Sequence, residues 1–144
     1  MNNSNRKVKN AEVTEINGIK FKSKLEARAY EYLLTLNYPI EYEVEKTVLI
    51  KSFKPSGYRI EPNKGILNFR NDVVRGITYT PDFILHHPKA KVFIETKGFK
   101  TDSYNIKKKL FLDLYKEDEK FVFAEVHSIR QLKYLIEHLL NEIT

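Results

Sequence analysis

Apolar residues recur along this chain with two periods, and the switches between them mark out its elements. Residues 23–37 carry Leu25, Ala29, Tyr32, Leu33 and Leu36 at helical spacing. Ser23 stands where an N-cap belongs and Glu26 follows three residues later, the pattern of a capping box. Short apolar or alternating runs predict strands over residues 40–50, 78–85, 91–97 and 121–126. Residues 103–116 read as a second helix with Ile106, Leu110, Phe111 and Leu114 inward. Ser128 caps a last amphipathic helix carrying Leu132, Leu135, Ile136 and Leu139. Asn17-Gly18 predicts a short hairpin over residues 11–19. Helix, three strands, helix, strand and helix together predict an α/β fold, a mixed sheet flanked by helices.

Punctuation divides the chain further. Pro55, Gly57, Pro62 and Gly65 predict that residues 51–76 are a loop or hairpin excursion rather than part of the sheet. Residues 1–20 form a basic N-terminal arm, polar and flexible at its start, and residues 21–144 a single domain with a basic insertion at about 51–77. A hydrophobic content of 42% and a charged content of 31% suit a soluble globular domain with a real core. The absence of cysteine excludes thiol nucleophiles, thiolate zinc sites and disulfides. No apolar run approaches membrane length and the first residues lack a signal-peptide core, so a cytoplasmic location is expected.

Charge changes the picture by its distribution. Residues 1–24 hold six Lys and Arg against Glu12 and Glu15, and residues 51–78 hold six against Glu61 and Asp72, a net of +4 in each stretch. The rest of a +6 chain is therefore slightly acidic. Both basic stretches are candidate grips on a phosphate backbone, through Arg6, Lys7, Lys9, Lys22 and Lys24 in the first and Lys54, Arg59, Arg70 and Arg75 in the second. Lys100, Lys107 and Lys108 add cations around the start of the second helix. A merely solvated basic face would have the same composition.

Candidate chemistry lies in three acids and a lysine. Strand residues two apart share a face, so Glu95 and Lys97 emerge side by side at the end of the apolar run Val92-Phe93-Ile94. Asp82, after Thr80-Pro81, falls on the preceding strand, and a turn over residues 86–90 would bring it beside Glu95. Glu26 projects into the apolar arc of its helix, whereas Arg28, Glu31 and Thr35 share the opposite face. Ionised groups so placed are costly unless paired or metal-bound, and carboxylate oxygens select a hard cation such as Mg²⁺. Each piece also has a plain structural reading: Pro-Asp as a turn start, Glu95 and Lys97 as a salt bridge, Glu26 as a cap. His86 and His87 point to opposite strand faces and cannot easily share one ion, and His127 and His138 read as structural.

Phe21-Lys22-Ser23-Lys24-Leu25-Glu26, Tyr79-Thr80-Pro81-Asp82-Phe83 and Phe93-Ile94-Glu95-Thr96-Lys97-Gly98 together resemble the PD-(D/E)xK nucleases. The resemblance is closest to the phage endonuclease I type of Holliday-junction resolvase and to related small phage nucleases. It implies a restriction-endonuclease-like sheet in α-β-β-β-α-β order and a Mg²⁺-dependent endonuclease acting on branched DNA, with Mn²⁺ able to substitute. Asp82 and Glu95 would then ligate the metal, with the Thr96 carbonyl as a further ligand. Lys97 would orient or help deprotonate the attacking water, and Glu26 would complete the site. A homodimer without membrane contact is expected, in the host cytoplasm if the chain is phage-encoded. The 51–76 excursion departs from the family pattern and leaves the substrate open. A same-fold nuclease for transposon ends or restriction-like sites, or a non-catalytic nucleic-acid-binding module, are the alternatives.

Overall fold

The structure, a computed structural model, describes residues 14–143, without the side chains of Leu140 and Ile143. In chain order its elements are β1 (Thr14–Ile16), β2 (Ile19–Phe21), α1 (Lys24–Leu34), β3 (Ile40–Tyr42), β4 (Thr47–Ile50), β5 (Arg59–Asn63), β6 (Ile66–Arg70), β7 (Ile77–Tyr79), β8 (Phe83–His87), β9 (Ala90–Thr96), α2 (Asp102–Leu114), β10 (Phe121–Val126) and α3 (Ile129–Ile143). This is a mixed α/β fold with several sheets, and it divides into two compact units. Val44–Thr80 and Lys100–Glu117 make one unit and the rest of the described chain the other.

The unit that carries the acids is built on a four-stranded sheet in the order β10-β9-β8-β3. β10 runs parallel to β9, and the other neighbours are antiparallel. Its core sets Phe83, Leu85, Val92 and Ile94 from one sheet face among Ala29 and Leu33 of α1, Leu132 and Ile136 of α3, and Phe21 of β2. The other face is apolar too, for Ile84 and Phe93 are also buried, which explains why β8 and β9 read as continuous apolar runs. Asn17 and Gly18 both have positive φ, +53° and +77°, as a two-residue hairpin between β1 and β2 needs. Ser23 caps α1 as expected, its Oγ accepting from the Glu26 amide at 3.1 Å.

Two expected strands are broken. Residues 40–50 do not form one strand: β3 stops at Tyr42, Glu43 takes a left-handed φ of +49°, and β4 pairs with β7 in a different sheet. Residues 78–85 likewise divide into β7 and β8, because Pro81 has no N–H to give a ladder. The two breaks meet where the Glu43 amide donates to the Asp82 carbonyl at 2.9 Å. His86 and His87 belong to β8, so the turn into β9 is shorter than expected.

In the second unit, α2 packs on the β4–β7 ribbon. Tyr104 and Phe111, one heptad apart, face inward, with the Phe111 ring 4.9 Å from that of Tyr79. That aromatic contact sets the helix phase, so Ile106 and Leu114 are exposed and not inward as expected. Lys107 and Lys108 lie in the middle of α2 rather than at its start. Within the excursion, β5 and β6 form a hairpin turned at Lys64-Gly65, both with positive φ. Gly76 sits so close to Ile50 that an added Cβ would lie 2.4 Å from its carbonyl oxygen.

Candidate active site

Asp82 occupies the bend after Pro81, one residue before β8. Continuing the register that pairs Phe83 with Ile94 sets Asp82 opposite Glu95. Both side chains are deeply buried, at 8% and 3% exposure. Thr96, the last residue of β9, holds Asp82 through two donors: its amide N and its Oγ1 each lie 2.7 Å from Oδ2. Among the described residues no group donates to Oδ1. Lys97 Nζ lies 2.7 Å from Glu95 Oε1, on the face the alternation predicted. The Lys97 amide donates to the Val126 carbonyl at 2.9 Å, which ties the end of this segment to β10.

The electrostatics of the pair follow from its burial. The Asp82 carboxyl is pushed up to about 7, first by desolvation, then by the Glu95 charge and more weakly by Glu26, against the two Thr96 hydrogen bonds. The buried Asp82 and Glu95 carboxylates repel each other, with Lys97 Nζ beside Glu95. A divalent cation would offset the charge of the pair, and an all-oxygen donor set suits Mg²⁺ or Mn²⁺. The residues therefore fit such an ion. No cluster of three or more His, Asp and Glu side chains is drawn together as a ready-made cage among the described residues. Asp82 and Glu95 are the pair that would hold an ion, with the Thr96 carbonyl beside them.

Glu26 is buried as its position in the apolar arc predicted, and it is occupied. Oε2 accepts from the Lys22 amide at 3.1 Å and from the Tyr42 hydroxyl at 2.8 Å, and Oε1 accepts from Ser23 Oγ at 3.3 Å. Burial and this hydrogen bond to Glu26 hold the Tyr42 phenol well above its ordinary range. Glu26 is thus a cap in fact, and its charge still reaches Asp82.

Residues 6–135 match the family model described as "Protein of unknown function (DUF1064)", a span that contains every one of these side chains. The chain belongs to the DUF1064 family. No curated protein and no solved structure matches it.

The basic residues expected to contact phosphate differ in their surroundings in this DUF1064 chain. Arg6, Lys7 and Lys9 lie outside the described residues. Lys22 is ion-paired with Glu43, which raises its pKa, and Lys24 is exposed on α1. Arg59 and Arg70 are committed to Asp72 at 2.7 and 2.5 Å, with Glu61 close to both. The Arg70 hydrogen bond holds the Asp72 carboxyl below the usual range. Lys54, Arg75 and Lys100 are exposed. Lys107 is half-buried, and Lys108 Nζ lies 5.7 Å from the centre of the Tyr104 ring.

Three contributors were not singled out for the site from sequence. Tyr42 fixes Glu26, the Thr96 side chain fixes Asp82, and His127 Nδ1 donates to the Lys97 carbonyl oxygen 2.5 Å away. His127 Nε2 in turn lies 3.2 Å from Glu125 Oε2. The readable signal was the His127 position, one residue beyond a strand parallel to the one that leads into Lys97.

Proposed function

We propose that this protein is a metal-dependent DNA endonuclease of the PD-(D/E)xK type that cuts branched DNA. The observation that carries the reading is the buried pair Asp82 and Glu95 with Lys97 at 2.7 Å, on strands whose interior is otherwise apolar. The succession of α1, β3, β8, β9, α2 and β10 supports the reading if the intervening strands are taken as insertions. The strand order β10-β9-β8-β3 supports the same reading.

Asp82, Glu95 and the Thr96 carbonyl would hold the metal. A bound Mg²⁺ or Mn²⁺ supplies Lewis-acid polarisation of the phosphate and offsets its charge. Thr96 fixes the rotation of the Asp82 carboxylate by spending two donors on Oδ2, which presents Oδ1. Lys97 carries a compact cation on the Glu95 face, where it orients an attacking water or a phosphate oxygen. Glu26, locked by Tyr42 and the Lys22 amide, adds negative charge beside Asp82. Little covalent work falls to the protein, so catalysis is chiefly positioning and electrostatics.

A four-way junction needs two cuts, and a homodimer matches its two-fold symmetry. No helix among the described residues is long and apolar enough to cross a membrane, and the reading needs no membrane contact. The test is to incubate the protein with an immobile four-way junction and a matched linear duplex, in Mg²⁺ and in EDTA, beside Glu95→Gln. Junction-selective, metal-dependent cutting lost in the variant supports the proposal. Equal cutting of both substrates keeps the nuclease and removes the branch preference, and no cutting of either overturns the activity.

A further inference from the structure

The β5–β6 hairpin has an unusual division of its two faces. Cross-strand pairs Ile60 with Phe69 and Pro62 with Leu67 lie on one face, joined by Tyr58, whose ring meets that of Phe69 at 6.4 Å in a T-shaped contact. These side chains stand in the open: Tyr58 is 72% exposed, Phe69 74% and Leu67 67%. An apolar face this exposed on a two-stranded ribbon marks a contact surface. The opposite face carries Arg59 and Arg70, both ion-paired with Asp72 and with Glu61.

Charge says what would cover the apolar face. The two acids of this segment, Glu61 and Asp72, are already matched by Arg59 and Arg70, which leaves the remaining cations in excess. Lys64 stands at the hairpin tip, and the backbone bridge between Phe53 and Val74 brings Lys54 and Arg75 to its base. A second copy of the chain would bring cations against cations. A DNA duplex offers phosphates but keeps its base faces stacked away. An unpaired strand offers both phosphates and base faces, and aromatic rings between cations are how such strands are held.

We propose that the β5–β6 hairpin is a DNA-contact surface for unpaired nucleotides, with Tyr58 and Phe69 stacking on bases and Lys54, Lys64 and Arg75 meeting the backbone. It deepens the nuclease reading and rests on it for the choice of DNA, since base pairs at a branch point open more readily than those within a duplex. The measurement is fluorescence anisotropy of labelled oligothymidylate and of a blunt duplex, with the full-length protein in EDTA so that nothing is cut. Phe69→Ala should weaken oligothymidylate binding about 5- to 100-fold, the worth of one stacked base, and leave the blunt duplex unchanged. Phe69→Trp should restore binding. Thermal melting should not move, because the side chain is exposed. Undiminished oligothymidylate affinity in Phe69→Ala overturns the proposal. So does a loss of self-association in sedimentation with DNA binding intact, which would make this face an interface between copies. Failure to cut a junction in Mg²⁺ is a separate readout and bears on the nuclease alone.

Discussion

Thr96 gives both of its donors to one oxygen of Asp82. The amide N and Oγ1 each reach Oδ2 at 2.7 Å, one donor from the end of a strand and one from its side chain. A carboxylate held this way cannot rotate freely, and its second oxygen is aimed by the first.

Thr96→Val keeps the amide donor and the side-chain shape and removes Oγ1. We expect a loss of about 1–3 kcal/mol of stability from the less satisfied buried acid, read as a lower urea midpoint, and recovery in Thr96→Ser. A Thr96→Val midpoint equal to that of the wild type would show that the hydroxyl does not support Asp82.

The raised Asp82 carboxyl makes stability pH-dependent in a definite direction. Below its ordinary value of 3.8 the group is protonated in both folded and unfolded chains, and it causes no difference. As pH rises toward about 7 the unfolded chain loses the proton first, so folded stability falls, and above about 7 the whole penalty is present. The metal-free protein should therefore melt lower at pH 8 than at pH 5, by an Asp82 contribution of up to about 3 kcal/mol, the rest of the penalty being already present at pH 5. Asp82→Asn should flatten that dependence. Melting curves in EDTA that fall equally steeply in wild type and variant would assign the effect to other groups.

Asp82→Asn and Glu95→Gln each remove a charge that would hold the cation. Cleavage should fall by at least about a hundredfold, beyond the loss of a supporting contact, while DNA binding stays or tightens because two acids face a polyanion. Near-normal cutting by either variant would remove the metal assignment.

Glu26→Gln separates the cap from the chemistry. The amide oxygen can still accept from the Lys22 N–H, so stability should change by less than about 1 kcal/mol. Cleavage should nevertheless drop, because the negative charge beside Asp82 is gone. The reverse result, full cleavage with a lower melting temperature, makes Glu26 a cap only.

Gly76→Ala should cost about 1–3 kcal/mol, because the new methyl group meets backbone, Ile50 O at 2.4 Å and Ser52 N at 2.9 Å, which cannot swing aside. An unchanged denaturation midpoint would mean that this close approach is absent in solution.

Features with a local cause were legible in the chain. Ser23 and Glu26 announced the start of α1 and the inward turn of the acid, Asn17-Gly18 its hairpin, and the apolar run at 121–126 became β10 residue for residue. The breaks at Glu43 and at Thr80-Pro81-Asp82 were not legible, although Pro81 was a cue. Alternation continues across both, and a period of two does not say which sheet a residue joins. The phase of α2 departs from its apolar spacing because Tyr104 and Phe111 are selected by contact with Tyr79, a distant residue. Within the candidate site, residue types pointed to the acids and Lys97, and the structure sets Asp82, Glu95 and Lys97 close together. The support from Tyr42 arises from tertiary proximity that no spacing along the chain encodes, and that from His127 is readable only once β10 is set parallel to β9.

The hydrogen bond from the Glu43 amide to the Asp82 carbonyl closes the chain on itself at the point where Val44–Thr80 departs and returns. Whatever lies between those two residues enters and leaves through a fastened neck. The length and chemistry of that segment can therefore drift while the acid just past the neck keeps its bearings. In evolutionary terms the neck is a graft point: one segment can be exchanged for another between Glu43 and Asp82 without unfastening the backbone that closes it.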